Sequence, residues 1–179
     1  MIRLLLKLKK STLKYFFKRI KKFLISGYYS RLPTLGGNNI IVEVDEAKFG
    51  KRKYQRGHHV EGVWVVGPVE RTEQRKMLLF KVERRGRLTL DSILISNVNS
   101  NSIIYSDCWK GYTDLLQHFK YYQTENHKKY FKDPVTQVCT NTIEGNWSIL
   151  KNLIPRRFRN KNLIETYLVK FMIQRNEAD

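Results

Sequence analysis

Apolar, β-branched segments in the first half of the chain set the strongest limit on its fold. Three of them follow one another with polar connections, at residues 40–45, 63–69 and 77–82. Such a series favours an antiparallel meander, whereas a strand reached through a helix favours a parallel crossover. The later segments alternate in this second way, as helix, strand, helix, strand and two helices, at residues 88–94, 102–107, 111–119, 121–124, 142–153 and 163–175. The order predicts an α/β fold with a mixed sheet flanked by helices.

The chain is strongly basic, with 34 Lys and Arg residues against 16 Asp and Glu and a formal net charge of +18. This excess indicates a polyanionic partner, either nucleic acid or an anionic membrane surface. Hydrophobic residues make up 41% of the chain, which argues for a packed core rather than a disordered basic tail. Its two cysteines exclude a disulfide scaffold and a four-cysteine zinc module. The sequence also predicts no stable membrane insertion.

The first 42 residues contain no acid and ten Lys or Arg residues. Apolar residues recur there at three- and four-residue intervals, which predicts an amphipathic helix. Pro33 and the Gly36–Gly37 pair mark a break, so we divide the chain into a basic amphipathic helical segment, residues 1–32, and a domain, residues 33–179. Four interpretations of the segment stay open: a helix on DNA or on the main domain, a membrane-surface helix, a transit peptide and a signal peptide.

Three acidic residues occupy the ends of predicted elements. Asp45 ends the first strand, Asp107 ends the fourth, and Glu144 lies in the first turn of a helix that starts near residue 141, where the helix dipole favours an anion. Converging carboxylates repel one another and favour a divalent cation, and oxygen ligands suit Mg²⁺ or Mn²⁺. Two such ions can hold the attacking and leaving oxygens of a phosphoryl transfer. The alternative is that these acids cap loops or pair with nearby bases.

Three sequence blocks carry a resemblance to a known family. They read VEVDEAKFGKRKYQRGHHVEGVWVVGPVER, IIYSDCWKGY and FKDPVTQVCTNTIEGNWSILK. In this order they resemble the catalytic domain of DDE-type transposases, in particular the bacterial insertion-sequence group with the ISXO-type domain and the eukaryotic Merlin transposases. The likeness runs from about residue 36 to residue 175, and 36 residues separate Asp107 from Glu144.

The resemblance implies a ribonuclease H-like fold and a site for two Mg²⁺ or Mn²⁺ ions. Asp45 and Asp107 match the carboxylates that bind both ions, and Glu144 matches the one that completes a single ion's shell. Lys151, seven residues after Glu144, matches a base of the family that contacts DNA. Family members often carry an N-terminal zinc ribbon or helix-turn-helix, and no cysteine precedes Cys108 here. We therefore expect a fragment, a decayed copy or a domesticated gene.

Further basic residues cluster beside the catalytic segments. Lys51, Arg52 and Lys53 follow Asp45, and three more bases follow Lys151, namely Arg156, Arg157 and Arg159. We expect both clusters to contact the DNA backbone by charge, which gives salt-dependent binding with little sequence preference. A solvated basic surface is the alternative.

Together these features predict transposase-type DNA cleavage and strand transfer by two-metal phosphoryl transfer. Water would be the nucleophile for cleavage, and a freed 3′-hydroxyl would be the nucleophile for joining. The expected partners are transposon ends, target DNA and, in the active state, further copies of the chain. We expect a protein that is not secreted, and that is nuclear in a eukaryote and otherwise cytoplasmic. Two alternatives are a domesticated or decayed DNA-binding protein without catalysis, and a membrane-active protein led by residues 1–25.

Overall fold

The computed structural model describes residues 9–50, 62–107, 112, 117–125 and 138–177. The chain divides into two compact units, Met1–Leu32 and Pro33–Asp179. The described part of the first unit holds helix α1 (Lys10–Tyr29), which confirms the predicted N-terminal helix. At its end, the side chains of Ser30 and Arg31 both donate hydrogen bonds to the carbonyl of Gly27. No helix among the described residues has the length and apolar character needed to cross a membrane.

The second unit is built on one sheet whose described part has five strands: β1 (Ile41–Phe49), β2 (Val63–Glu70), β3 (Phe80–Val82), β4 (Ile103–Asp107) and β5 (Tyr121–Glu125). Their order is β3-β2-β1-β4-β5. β1, β2 and β3 pair antiparallel, whereas β4 pairs parallel with both β1 and β5. The meander and the parallel strands predicted from the sequence are both confirmed.

Helices cover the sheet. α2 (Arg87–Asn97) connects β3 to β4 and buries Leu90 and Leu94. α3 (Asn141–Leu153) packs against β1 and β2, and α4 (Ile164–Asn176) packs against β3. A short 3₁₀ helix (Arg156–Phe158) lies between α3 and α4. Of the helix predicted at residues 111–119, only residues 112 and 117–119 belong to the described part of the chain.

The Gly36–Gly37 pair sits at a close approach between the start of the domain and β4. Gly36 has a φ of 79°, and a Cβ there would lie 2.1 Å from the hydroxyl oxygen of Ser102. The N–H of Gly36 donates to Glu70 Oε1 at 2.6 Å, and that of Gly37 donates to Ser102 Oγ at 3.0 Å. Glycine is required at the first position because both its left-handed backbone and the close hydroxyl exclude a side chain.

The position of Asp45 in its strand differs from the prediction. β1 continues for four residues beyond Asp45, so this residue lies in the middle of the strand and not at its end. In the sequence, Glu46 and Lys48 suggest that the strand stops there. They alternate with the buried Ala47 and Phe49, which pair with Val65 and Val63 of β2, and this two-residue period continues the strand.

Candidate active site

Asp45 and Asp107 occupy adjacent positions on the two central strands. β1 and β4 are parallel, with Val44 paired to Ser106, so the next residues along the two strands are Asp45 and Asp107. Asp107 is the last residue of β4, as predicted. Partners in a parallel pair point to the same face of the sheet, so both carboxylates lie on one face.

Helix α3 brings Glu144 to this face. Glu144 lies in the first turn of α3, as predicted. Three residues farther on, Trp147 Nε1 donates a hydrogen bond to Asp45 Oδ2 at 2.9 Å. Residues three apart lie on the same side of a helix, so the side of α3 that carries Glu144 is the side bound to Asp45.

Gly67 makes this contact possible. It is the cross-strand partner of Asp45 in β2. A Cβ at position 67 would lie 2.6 Å from Cη2 of Trp147 and 3.0 Å from Cδ1 of Ile143. The indole also meets the ring of Phe49 edge to face, with 6.1 Å between ring centroids. Because Gly67 has no side chain, the indole of Trp147 can lie close enough to β2 to reach Asp45.

The electrostatic environment of Asp45 links it to both other acids. Burial is the largest effect and raises the pKa of Asp45, and the negative charges of Asp107 and Glu144 raise that pKa further. Hydrogen bonds from the backbone N–H of Glu46 and from Trp147 act in the opposite direction. Asp45 therefore lies close enough to both other acids for their charges to affect it, as expected for acids that share one face.

The donor chemistry of this triad suits a hard divalent cation. Oxygen ligands fit Mg²⁺ or Mn²⁺, and a bound cation would relieve the repulsion that raises the pKa of Asp45. Within the described ranges, no group of three or more His, Cys, Asp or Glu side chains is close enough to hold a metal ion. A metal–oxygen bond is only about 2.0–2.6 Å long, whereas charges repel one another over longer distances. Asp107 and Glu144 are therefore near enough to affect the pKa of Asp45, but the three acids are too far apart to bind one ion in this arrangement.

Sequence reasoning missed a buried ion pair beneath this site. Glu43 is fully buried, two residues before Asp45 on the same face of β1. Its carboxylate accepts hydrogen bonds from Arg71 Nε and from the backbone N–H of Ile143 in α3. Burial lowers the pKa of the Arg71 guanidinium, but the hydrogen bond and charge of Glu43, together with the smaller contributions of Cys139, outweigh burial, so the net shift is upward. An acid inside the apolar run IIVEVD was the signal that could have found it.

A second unpredicted contact joins two of the sequence blocks on the opposite face of β1. The hydroxyl of Tyr112, which is fully buried, donates to Glu46 Oε1. Arg85 lies 3.8 Å from the other carboxylate oxygen of Glu46 and stacks its guanidinium over Trp64, 4.3 Å from the ring centroid. Burial is the main cause that raises the pKa of Glu46 to about 7.

Some of the basic residues predicted to contact DNA lie in the part of the chain that the structure describes, and others do not. Lys51, Arg52 and Lys53 lie outside the described residues. Lys151 is exposed in the last turn of α3, and Arg156 and Arg157 are exposed in the 3₁₀ helix. Their contact with DNA stays a prediction.

Arg159 has a structural role in the described chain. Its guanidinium donates to the carbonyls of Ile154, at 2.9 Å, and of Lys151, so it binds the C-terminal end of α3. Burial, and to a smaller extent the charge of Arg156, lower the pKa of Arg159. A predicted DNA contact through Arg159 would have to use donor atoms that these two carbonyls do not occupy.

The sheet order, the acids on both central strands and the helix packed across them define a ribonuclease H-like α/β domain. A family model described as "ISXO2-like transposase domain" matches residues 34–172. The chain therefore belongs to this family of insertion-sequence transposase domains, which confirms the resemblance to DDE-type transposases. Membership indicates a DNA partner and a role in transposition at the level of the family. A comparison with curated proteins gives no match.

Proposed function

We propose that residues 33–179 are the catalytic domain of a transposase that cleaves DNA and transfers the cut strand to a target. Family membership over residues 34–172 supports the reaction class. The observation that carries the proposal is geometric: Asp45 and Asp107 are neighbours on the parallel strands β1 and β4, and Glu144 lies on the side of α3 that binds Asp45 through Trp147. Three acids from β1, β4 and α3 form the oxygen donor set that phosphoryl transfer with divalent cations requires.

In this proposal Asp45, Asp107 and Glu144 hold two Mg²⁺ or Mn²⁺ ions. Ions held there would supply positive charge to a bound phosphate group and would lower the pKa of bound water. The chain orients its own ligands: the indole N–H of Trp147 fixes one carboxylate oxygen of Asp45 at 2.9 Å.

The substrate contact would come from the bases around this site. Lys151 is seven residues after Glu144, almost two helical turns, so both side chains lie on similar sides of α3. Together with Arg156 and Arg157 it would contact phosphates near the acids. Transposon ends and target DNA are the proposed partners, and a homo-oligomer is the proposed active state because two ends must be paired.

Nicking of supercoiled plasmid in Mn²⁺ tests the proposal. We expect nicking by the wild type, and loss of nicking in Asp107→Asn, in Glu144→Gln and after EDTA. Glu73→Gln is the matched control, because Glu73 is an exposed acid in the turn after β2. It removes one negative charge and should leave nicking intact.

DNA binding, measured by gel shift, separates this function from the alternative. A wild type that shifts DNA as strongly as Asp107→Asn but does not nick it would contradict the proposal. That result would favour a DNA-binding protein that retains the fold without catalysis. Nicking that survives in Asp107→Asn would equally refute the assigned triad.

A further inference from the structure

Glu43 is a second carboxylate on the face of β1 that carries Asp45, and its environment differs completely. It is fully buried. One carboxylate oxygen accepts from Arg71 Nε, and the other accepts from the N–H of Ile143 at 2.9 Å. A buried carboxylate is tolerated only with partners of this kind. Both oxygens of Glu43 are therefore engaged by protein groups.

The bond from Ile143 to Glu43 caps helix α3. The first N–H groups of a helix have no partner within the helix. Ile143 is the third residue of α3, and the N-cap residue Thr140 makes no side-chain capping bond. Glu43 supplies the missing acceptor from β1, and its negative charge lies at the helix end that the dipole makes positive.

Arg71 extends this cap to the rest of the site. Its Nη2 donates to the carbonyl oxygen and the sulfur of Cys139, the residue before the N-cap of α3. Its guanidinium carbon lies 5.1 Å from the ring centroid of Tyr105, two residues before Asp107 in β4. The backbone N–H of Arg71 donates to the carbonyl oxygen of Ile41 in β1 at 2.9 Å. One side chain thus connects β1, β4 and the start of α3.

Two contacts with matching spacing hold α3 along β1. Ile143 and Trp147 are four residues apart, about 6 Å along a helix. Their partners Glu43 and Asp45 are two residues apart, about 6.6 Å along a strand. Both contacts can therefore form together with little strain. Glu144 lies between the two anchored helix positions, so its place relative to Asp45 depends on both.

We propose that Glu43 is a positioning residue for Glu144. Together with Arg71, it sets the position of the first turn of α3 on the sheet, and through it the distance of Glu144 from Asp45 and Asp107. Glu43 is not itself a ligand in this arrangement because its oxygens are occupied. The effect on catalysis rests on the proposed function, whereas the anchoring of α3 does not.

Three variants test the inference. Glu43→Gln replaces one acceptor oxygen by an NH₂ group, which must then face either Arg71 or the N–H of Ile143. Arg71→Lys keeps the positive charge but loses the planar guanidinium, whose N–H groups donate to Glu43 and Cys139 at the same time. The matched control is Glu70→Gln: Glu70 is also buried, and its carboxylate accepts from the N–H of Gly36 and the hydroxyl of Thr72.

The catalytic measurement is plasmid nicking as a function of Mn²⁺ and of DNA concentration. We expect Glu43→Gln to raise the half-saturating Mn²⁺ concentration by about tenfold, the low end for the loss of a supporting residue in a metal site. It should also lower kcat and leave the KM for DNA unchanged. Arg71→Lys should show a smaller change in the same direction, and Glu70→Gln should match the wild type.

Amide hydrogen exchange of the metal-free protein tests the anchoring without reference to activity. We expect faster exchange at Ile143 in Glu43→Gln than in the wild type or in Glu70→Gln. Unchanged exchange at Ile143 would overturn the anchoring. Faster exchange with the Mn²⁺ dependence and kcat of the control would overturn the positioning of Glu144. A wild type that does not nick DNA would overturn the proposed function itself, and the exchange result would then decide the anchoring alone.

Discussion

Replacing Trp147 by phenylalanine removes the hydrogen bond to Asp45 while it keeps an aromatic ring. The indole nitrogen lies 2.9 Å from Asp45 Oδ2, and the side chain is buried. A hydrogen bond to a charged acceptor contributes about 1.5–3 kcal/mol. Phenylalanine also leaves space where the second indole ring lay, so the single variant loses packing energy in addition.

A double-mutant cycle with Asp45→Ala isolates the hydrogen bond from this packing loss. Urea unfolding in EDTA gives the free energy of unfolding of the four proteins. We expect a coupling free energy of about 1.5–3 kcal/mol at about pH 8. The bond is made to the ionised carboxylate, so the coupling should shrink as the pH falls through the pKa of Asp45, which burial raises. A coupling below about 0.5 kcal/mol, or one that is equal in acid and at neutral pH, would refute this account.

The same variant has a pH signature of its own. The bond from Trp147 lowers the pKa of Asp45 against the larger effect of burial, so Trp147→Phe should raise that pKa further. A raised carboxyl pKa means that the folded state holds its proton more tightly than the unfolded chain does. Stability is then lost as the pH rises from the unfolded pKa through the folded one. The variant should lose stability over this window more steeply than the wild type.

Three further predictions concern neighbours of the site. Gly67→Ala places a Cβ 2.6 Å from the indole of Trp147 and should lower the free energy of unfolding by about 1–3 kcal/mol. Urea titration measures this change, and an unchanged unfolding midpoint would contradict the contact. The pKa of Glu46 rises from its usual 4.5 to about 7, so the wild type should lose about 3 kcal/mol of stability as the pH rises through this window. Glu46→Gln should remove this part of the loss and leave the part that comes from Asp45, and a pH dependence identical to that of the wild type would exclude Glu46 as a source. Arg159→Ala should lower Tm because it leaves two carbonyls at the end of α3 without their hydrogen bonds, at a cost of about 1 kcal/mol. Arg156→Ala, in contrast, should leave Tm unchanged and weaken DNA binding.

The order of strands and helices could be predicted because it depends on local periodicity. Three apolar, β-branched segments in series indicated the meander, and the helical pattern after the third segment indicated the crossover into β4. The antiparallel and parallel strand directions then followed from general rules of chain connection, whereas the order of the strands in the sheet came from the structure. The strand at residues 77–82 was too long, since only Phe80–Val82 form β3 and Met77 makes a single bridge to Val69.

The end of β1 could not be predicted because its polar residues are covered by distant ones. Glu46 looks like a turn residue in the sequence, yet it is held by Tyr112, which is 66 residues away. Lys48 lies over the ring of its cross-strand partner Trp64 at 5.5 Å. Local sequence pattern contains no information on such partners, so a half-buried polar strand end resembles a loop.

The acids of the candidate site could be proposed from their place in the sequence blocks, whereas the residues that arrange them could not. Glu43 binds Arg71 and Ile143, which are 28 and 100 residues away. Trp147 binds Asp45, which is 102 residues away. Residues that would carry the chemistry can be recognised by their type. Residues that position them depend on long-range contacts, which a local sequence pattern does not show.

Glu43 and Asp45 show how one strand can carry two carboxylates with different uses. They are two residues apart on the same face of β1, so the strand alone does not distinguish them. Glu43 faces a guanidinium and the N-terminus of α3, which compensate its charge inside the protein. Burial and the charges of Asp107 and Glu144 raise the pKa of Asp45, and the N–H groups of Glu46 and Trp147 compensate its charge only in part. The charge of Asp45 is therefore only partly compensated by the protein, so a cation bound beside it should stabilise the folded state, and we expect Mn²⁺ to raise the Tm of the wild type more than that of Asp45→Asn.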